Sequence, residues 1–155
     1  MSSEAVKLDD QQHPTVNVLS GVLSDTYFLY LKAHNFHWNV EGPRFRSLHK
    51  MFEEHYRDLW AALDDIAERI RALGAYAPGT YAKFKARSSI VENEQVPAAE
   101  AMLDELIADN ETVIATLRSA VAVAEGQNDP ASADLLTQRL QVHEKQVWMM
   151  RSMRV

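Results

Sequence analysis

Apolar residues recur at steps of three and four along four long segments of the chain, which is the spacing of one face of an α-helix. In the first segment this face runs from Leu19 to His37, and in the second it runs from Leu48 to Leu73. Proline and glycine lie almost entirely between the segments, where helices begin and end. The pattern predicts four long helices, over about residues 15–40, 44–73, 98–125 and 131–153.

The connections between these helices differ in length, and this difference predicts the topology. The first and second helices are joined by a few residues, as are the third and fourth, whereas about two dozen residues separate the second from the third. A single long crossover is typical of the ferritin-like bundle. Tyr81, Phe84 and Ile90 predict a short helix within it. We therefore predict an all-α, ferritin-like four-helix bundle over residues 15–155, after a flexible tail over residues 1–14.

Composition and charge exclude several classes of function. The chain has no cysteine, which excludes disulfides, thiolate metal sites and cysteine nucleophiles. It has neither a long apolar stretch nor a secretory signal pattern, so we expect a cytoplasmic protein without a membrane partner. The formal net charge is -6, and Lys7 is the only basic residue of a tail that contains Glu4, Asp9 and Asp10. An anionic protein has little electrostatic attraction to nucleic acid.

Potential metal ligands are concentrated in the second helix and at the end of the first. Histidine and carboxylate without thiolate suit iron, manganese or zinc. If His49 is the zero of a helical wheel that turns by about 100° per residue, Glu53 lies at about 40°. On the same wheel Asp64 and Glu68 lie at about 60° and about 100°, whereas the apolar stripe lies between about -20° and about -120°. The four side chains therefore share a face that points away from the core.

This placement differs from that in ferritin-type di-iron bundles, whose ligands point into the core and include Glu-x-x-His pairs. The sequence contains no Glu-x-x-His. His49 and Asp64 lie about 22 Å apart along a straight helix, too far to share one metal site. An antiparallel, two-fold related partner brings these two ends together. We predict two equivalent sites per dimer, each formed by His37, His49 and Glu53 of one chain and by Asp64 and Glu68 of the other.

Each of these residues also has a simpler interpretation. Asp64 and Glu68 would equally suit a solvated face that pairs with Arg57 and Arg71. A histidine within a helix is structural or exposed at least as often as it binds a metal ion. Spacing alone therefore leaves both interpretations open.

Three motifs in this stretch resemble those of a known family. They are His-Trp-Asn-Val-x-Gly-Pro-x-Phe from His37, Leu-His-x-x-Phe-Glu from Leu48, and Asp-x-Ile-Ala-Glu-Arg-Ile from Asp64. Ser-Ser-Ile from Ser88 and a terminal His-Glu-Lys-x-x-Trp-Met from His143 continue the match. Together they resemble the signature of the Dps family, the ferritin-like DNA-binding proteins from starved cells. The resemblance covers nearly all of the chain beyond the tail.

The resemblance implies a hollow homododecamer, built from two-fold dimers, with two irons at each site between subunits. It implies a ferroxidase, which oxidises Fe(II) with hydrogen peroxide or dioxygen and stores the Fe(III) mineral against oxidative stress. In the family a tryptophan at the site absorbs oxidising equivalents, and the position of Glu53 is commonly Asp. By motif position, the implied site residues are His37, His49, Asp64, Glu68 and Trp38, with Glu53 as a further metal ligand.

Two further features of the family are less direct matches. Acidic pores admit iron in the family, and Asp129 and Asp134 look like matching positions. The alternative for this pair is capping of the fourth helix.

Dps proteins that compact DNA usually carry a basic arm, whereas this tail is acidic, so we expect weak or no DNA binding. A DNA-compacting protein with incidental iron binding, and a helical bundle without catalytic activity, are the alternative functions.

Overall fold

Five helices account for most of the structure, a computed structural model that describes residues 13–154. No strand occurs among these residues. Most of the predicted tail, with Glu4, Lys7, Asp9 and Asp10, lies outside the described residues. The prediction of four long helices and one short crossover helix is confirmed. The helices are α1 (Pro14–Asn39), α2 (Phe45–Ala72), α3 (Tyr81–Arg87), α4 (Ala99–Gly126) and α5 (Pro130–Ser152).

Helix ends coincide with residues that cap or interrupt helices. The side chain of Asp129 accepts a hydrogen bond from the backbone N–H of Ser132 at 3.0 Å, and Pro130 occupies the first position of α5. Thr80 caps α3 in the same way. Gly42, between α1 and α2, has a φ of 113°, which strongly favours glycine. The short turn around it places the end of α1 beside the start of α2.

The long helices form a ring of neighbours around one core, in which α1 contacts α2 and α4, and α5 contacts the same two helices. The apolar stripe predicted on α2 is buried, with only Leu63 and Leu73 partly exposed. The largest fully buried side chains include Leu19, Leu29, Phe36, Leu48, Phe52, Leu59, Ile66, Ile70, Met102, Leu103, Leu106 and Leu117.

Helix α1 is buried on more than the single face that its apolar spacing predicts. It contacts α3 in addition to α2 and α4, and consequently Ser20, Ser24 and Asp25 are buried as well. The hydroxyl of Ser24 donates to the backbone carbonyl of Ser20 at 2.8 Å, because a buried polar group needs a partner. Apolar periodicity alone does not detect small polar residues in such positions.

The crossover is attached to α1 by partly buried polar contacts, one of which continues to α4. Asp25 accepts hydrogen bonds from the backbone N–H of Ser89 at 2.6 Å and from the hydroxyl of Ser88 at 3.2 Å. Lys32 is 7% exposed and donates to the backbone carbonyl of Val91 at 2.6 Å and to Asp109 at 2.7 Å. These contacts hold the crossover against the bundle. Among residues 13–154, no helix combines the length and apolar composition needed to cross a bilayer.

Candidate metal centre

His37 and His49 lie face to face where α1 ends and α2 begins. His37 belongs to the last turn of α1, and His49 is the fifth residue of α2. Their ring centroids are 3.8 Å apart and their planes differ by 14°. Nδ1 of His37 lies 2.7 Å from the backbone oxygen of His49, and Nδ1 of His49 lies 2.7 Å from the backbone oxygen of His37. The structure therefore brings these two predicted site residues together within one chain.

This reciprocal pair of hydrogen bonds determines the tautomer of both rings. A carbonyl oxygen can only accept, so each Nδ1 must carry a proton and donate it. In a neutral imidazole Nε2 then holds the lone pair, and this nitrogen is available to a metal ion. Neither Nε2 has a hydrogen-bond partner within residues 13–154. The pair thus directs two Nε2 atoms, the nitrogens that a neutral imidazole of this tautomer offers to a metal ion, away from its own hydrogen bonds.

Neighbouring rings hold the two imidazoles in this orientation. Phe45 stacks on His49 with ring centroids 4.8 Å apart. Tyr56 meets His37 edge-on at 5.1 Å, and only 8% of His37 is exposed. Because packing and hydrogen bonds already restrict both side chains, binding a ligand would cost little rotamer entropy.

The predicted carboxylate ligands lie along the exposed side of α2. Asp64 and Glu68 are exposed and form no hydrogen bond or ion pair within the described part of the chain. The pairing with Arg57 and Arg71 that the simpler interpretation required is not present. Arg57 instead pairs with Glu53 at 3.3 Å, and Arg71 donates to a backbone carbonyl. Asp64 and Glu68 are therefore available to a cation, whereas Glu53 is partly engaged.

A single chain does not join the two halves of the predicted site. Within residues 13–154, no three histidine, aspartate or glutamate side chains converge closely enough to hold a metal ion. Helix α2 runs without interruption from Phe45 to Ala72. His49 and Asp64 are thus about 22 Å apart along its axis, at about 1.5 Å per residue. The combined site stays a prediction that requires a second chain.

Comparison with known proteins identifies the family. The sequence model of the ferritin family, described as a ferritin-like domain, matches residues 16–154. DNA protection during starvation protein 2 of Bacillus anthracis is 36% identical, with 88% of this chain and 94% of that protein covered. This chain belongs to the Dps family. The family suggested by the motifs around His37, Leu48 and Asp64 is therefore confirmed.

Other comparisons agree with membership of the Dps family. An uncharacterized low temperature-induced protein of Nostoc sp. is 40% identical, with 93% of this chain and 82% of that protein covered. A Dps protein from Bacillus brevis superposes with a TM-score of 0.90 at 34% identity, covering 97% of this chain and 100% of the other. Dps from Vibrio cholerae, described as a ferritin-like diiron-carboxylate protein, has a TM-score of 0.89 at 25% identity, with both chains fully covered (100%).

A group of aromatic side chains lies beside the histidine pair of this Dps-family chain, and of these the sequence motifs indicated only Trp38. Trp38 is 60% exposed, and His34 lies between Trp38 and Tyr56 with ring centroids 3.9 Å from each; the His34 ring stacks on Tyr56 and is tilted by 33° against Trp38. The hydroxyl of Tyr30 lies 3.1 Å from Nδ1 of His34. Burial lowers the pKa of His34, and the nearby His37 adds to the effect. The four-residue spacing of Tyr30, His34 and Trp38 on α1 was the available signal.

The two predicted pore residues of this Dps-family chain have different surroundings. Asp129 caps α5, accepts from Ser132, and pairs with Arg69 at 2.9 Å. Burial alone would raise the pKa of Asp129, but these hydrogen bonds and the guanidinium together lower it. Asp134 is exposed and accepts from Gln138 at 2.8 Å. The capping interpretation thus describes the contacts of Asp129, while the pore assignment stays a prediction.

Proposed function

We propose that this protein is a ferroxidase that oxidises Fe(II), stores the Fe(III) product and so protects against oxidative stress. The observation that carries the proposal is the reciprocal hydrogen bonding of His37 and His49, which leaves both Nε2 atoms free to bind a metal ion. Asp64 and Glu68, which have no ion-pair partner within residues 13–154, are exposed on α2, the helix that also carries His49. Membership of the Dps family, and the description of the Vibrio cholerae Dps as a diiron-carboxylate protein, support iron as the substrate.

The oxidation site we propose lies between two-fold related subunits. Because α2 is one uninterrupted helix, an antiparallel partner would set the His49 end of one chain against the Asp64 end of the other. Each dimer then has two equivalent sites, and each site binds two irons. Trp60, 62% exposed, would be covered by the same contact. The ligands of one site are His37, His49 and Glu53 of one chain and Asp64 and Glu68 of its partner.

The ligand set suits oxidation of iron by hydrogen peroxide. Carboxylates are hard, anionic ligands, so they stabilise Fe(III) more than Fe(II) and favour loss of an electron. Two Fe(II) ions held together supply both electrons that one peroxide needs, so two Fe(II), one H2O2 and two protons give two Fe(III) and two waters. No hydroxyl radical is released in such a two-electron reaction. Trp38, whose ring contacts His34 beside the pair, would absorb any single oxidising equivalent that escapes.

Storage requires an enclosed space, and we propose the hollow homododecamer of the Dps family. Iron would reach the interior through acidic pores, because carboxylates attract cations. Asp134, exposed at the start of α5, is the better pore residue of the predicted pair, since Asp129 is engaged in capping and in an ion pair with Arg69.

The reaction itself is tested by loading the metal-free protein with Fe(II) without oxygen and then adding hydrogen peroxide. We expect rapid growth of Fe(III) absorbance that is much slower after His37→Ala/His49→Ala or Asp64→Asn/Glu68→Gln substitution. The matched control is Glu54→Gln/Asp65→Asn, which removes two exposed carboxylates from another face of the same helix. If wild-type protein accelerated the oxidation no more than the control buffer, the proposed activity would be wrong.

The shared site is tested by mixing the two double variants. In a dimer of one His37→Ala/His49→Ala chain and one Asp64→Asn/Glu68→Gln chain, one site loses all four ligands and the other keeps them. We expect such dimers to recover about half of the wild-type sites, although each variant alone has none. If the ligands came from one chain, mixing would restore nothing.

A further inference from the structure

Trp38, His34 and Tyr30 lie one helical turn apart along α1. The ring centroids of Trp38 and His34 are 3.9 Å apart, and those of His34 and Tyr30 are 5.6 Å apart. The hydroxyl of Tyr30 also lies 3.1 Å from Nδ1 of His34. Because each ring contacts the next, the three side chains form a continuous path that leads from the exposed indole of Trp38 to the half-buried phenol of Tyr30.

The hydrogen bond between Tyr30 and His34 places a proton acceptor next to the phenol. Burial raises the pKa of Tyr30, and the neighbouring Tyr27 and Tyr56 add to the effect, so the phenol keeps its proton near neutral pH. In the tautomer of His34 with its proton on Nε2, Nδ1 accepts a hydrogen bond from the hydroxyl. The radical cation of a phenol is a very strong acid. Tyrosine therefore loses an electron far more readily where a base accepts its proton at the same moment.

Tyr56 contacts the same imidazole but lacks this arrangement. Its ring stacks on His34 with centroids 3.9 Å apart, and its hydroxyl has no hydrogen-bond partner within residues 13–154. The guanidinium of Arg57 lies 5.7 Å from the centre of the Tyr56 ring, and a positive charge over a ring opposes the loss of an electron from it. Of the two tyrosines beside His34, Tyr30 is therefore the easier to oxidise.

We propose that Tyr30 receives single oxidising equivalents from Trp38, by losing an electron to Trp38 and a proton to Nδ1 of His34. The inference rests on the proposed function, in which peroxide that takes one electron from Fe(II) instead of two gives a hydroxyl radical. This radical takes an electron from Trp38 and becomes hydroxide. The Trp38 radical cation then takes an electron from Tyr30, whose hydroxyl proton moves to His34. Trp38 is restored, and Tyr30 becomes a neutral phenoxyl radical.

The transfer protects Trp38 because the phenoxyl radical of Tyr30 is reversible. One electron from Fe(II) and the proton held on His34 convert it back to the phenol. Trp38, by contrast, is 60% exposed, and an indole radical in contact with dissolved dioxygen gains oxygen irreversibly. Tyr30 thus holds the oxidising equivalent until an electron arrives.

The test uses metal-free, full-length protein, so that its result does not depend on iron oxidation. The parent carries Trp60→Phe and Trp148→Phe, which leave Trp38 as the only tryptophan of the chain. Azide radicals from pulse radiolysis take an electron from tryptophan in preference to tyrosine, and the radicals of the two residues absorb at different wavelengths. We expect the tryptophan radical to decay while a tyrosine radical appears at the same rate, whatever the protein concentration. This transfer should be slower in D2O, because a proton moves with the electron.

Tyr30→Phe removes only the hydroxyl that the proposal requires, and it should abolish this phase and leave only slower transfer to other tyrosines. The matched control is Tyr56→Phe, which also removes one hydroxyl from a ring in contact with His34 and should leave the rate unchanged. His34→Gln has no base for the proton and should lose the phase as well. The proposal is overturned if Tyr30→Phe or His34→Gln transfers at the parent rate, if Tyr56→Phe loses the transfer, or if D2O has no effect.

The tyrosine variants with all three tryptophans in place connect this transfer to the reaction with iron. After repeated additions of Fe(II) and hydrogen peroxide, mass spectrometry should find more oxygen added to Trp38 in Tyr30→Phe than in wild type or Tyr56→Phe. Equal addition in the three proteins would contradict the protective role of Tyr30. If the metal-free transfer were intact but the protein oxidised Fe(II) no faster than buffer, the ferroxidase proposal would be wrong and the transfer from Trp38 to Tyr30 would be supported.

Discussion

Acid should destabilise this protein through two histidines that the folded chain keeps neutral. The pKa of His55 is about 4 and that of His143 is about 3, both lowered chiefly by burial from an ordinary value of 6.5. The unfolded chain therefore binds protons that the folded chain excludes. Stability is complete above about pH 6.5 and is lost as the pH falls toward the folded pKa values.

The expected loss follows from these values. At about pH 5 an unfolded histidine is almost fully protonated, while both buried histidines are still neutral. With about 1.4 kcal/mol per pKa unit, each histidine then removes about 2 kcal/mol from the free energy of unfolding, and the two together about 4 kcal/mol. A typical domain is stable by only about 5 to 15 kcal/mol. Such a loss is therefore large enough to measure.

We expect His143→Gln to remove about half of this acid sensitivity, about 2 kcal/mol. Glutamine can still donate toward the side-chain oxygen of Asn110 and accept from Arg139, the two hydrogen-bond partners of His143, but it does not titrate. The assay is urea unfolding at about pH 7.5 and about pH 5, at one protein concentration. His13→Asn, a substitution at the N-cap of α1 outside the core, should keep the full loss. If His143→Gln lost as much stability as wild type between these two pH values, the reasoning would be refuted.

Two further predictions concern the start of α5 and the charge of the surface. Asp129→Ala should lower the free energy of unfolding by about 1 to 2 kcal/mol, because it removes the N-cap of α5 and the ion pair with Arg69. Asp134→Ala should leave stability unchanged, and equal urea midpoints for the two variants would contradict the assignment of the cap. Supercoiled DNA should not be retarded in a gel at moderate salt, because the chain carries a net charge of -6. Retardation that fades as salt rises would favour the DNA-compacting alternative.

The helices of this protein were predictable from its sequence because their signals are local. Apolar residues at steps of three and four predicted the buried stripe on α2, and Pro130 predicted the start of α5. The single long crossover predicted the ferritin-like topology. The helix signals depend on residues within a few turns of one another, and the topology signal depends only on the lengths of the connections, so none of them requires knowledge of contacts between helices.

The common face of His49, Asp64 and Glu68 was likewise predictable, since it follows from the pitch of one helix. The surroundings of these residues were not. Spacing left open whether Asp64 and Glu68 pair with nearby arginines, and the structure shows that Arg57 pairs with Glu53 instead. Several ion pairs are geometrically possible on an exposed helix and differ by small energies, so sequence does not select among them.

The sequence by itself determined the number of long helices, their limits and the ligand types available for a metal ion. Only the tertiary structure decided the tautomers of His37 and His49, because each ring donates to a backbone oxygen on a neighbouring helix. Only packing decided that Arg139 meets Asp58 and His143 in the core. The physical reason is the same in both cases. These hydrogen bonds depend on how the helices pack against one another, and the spacing of residues within one helix does not predict that packing.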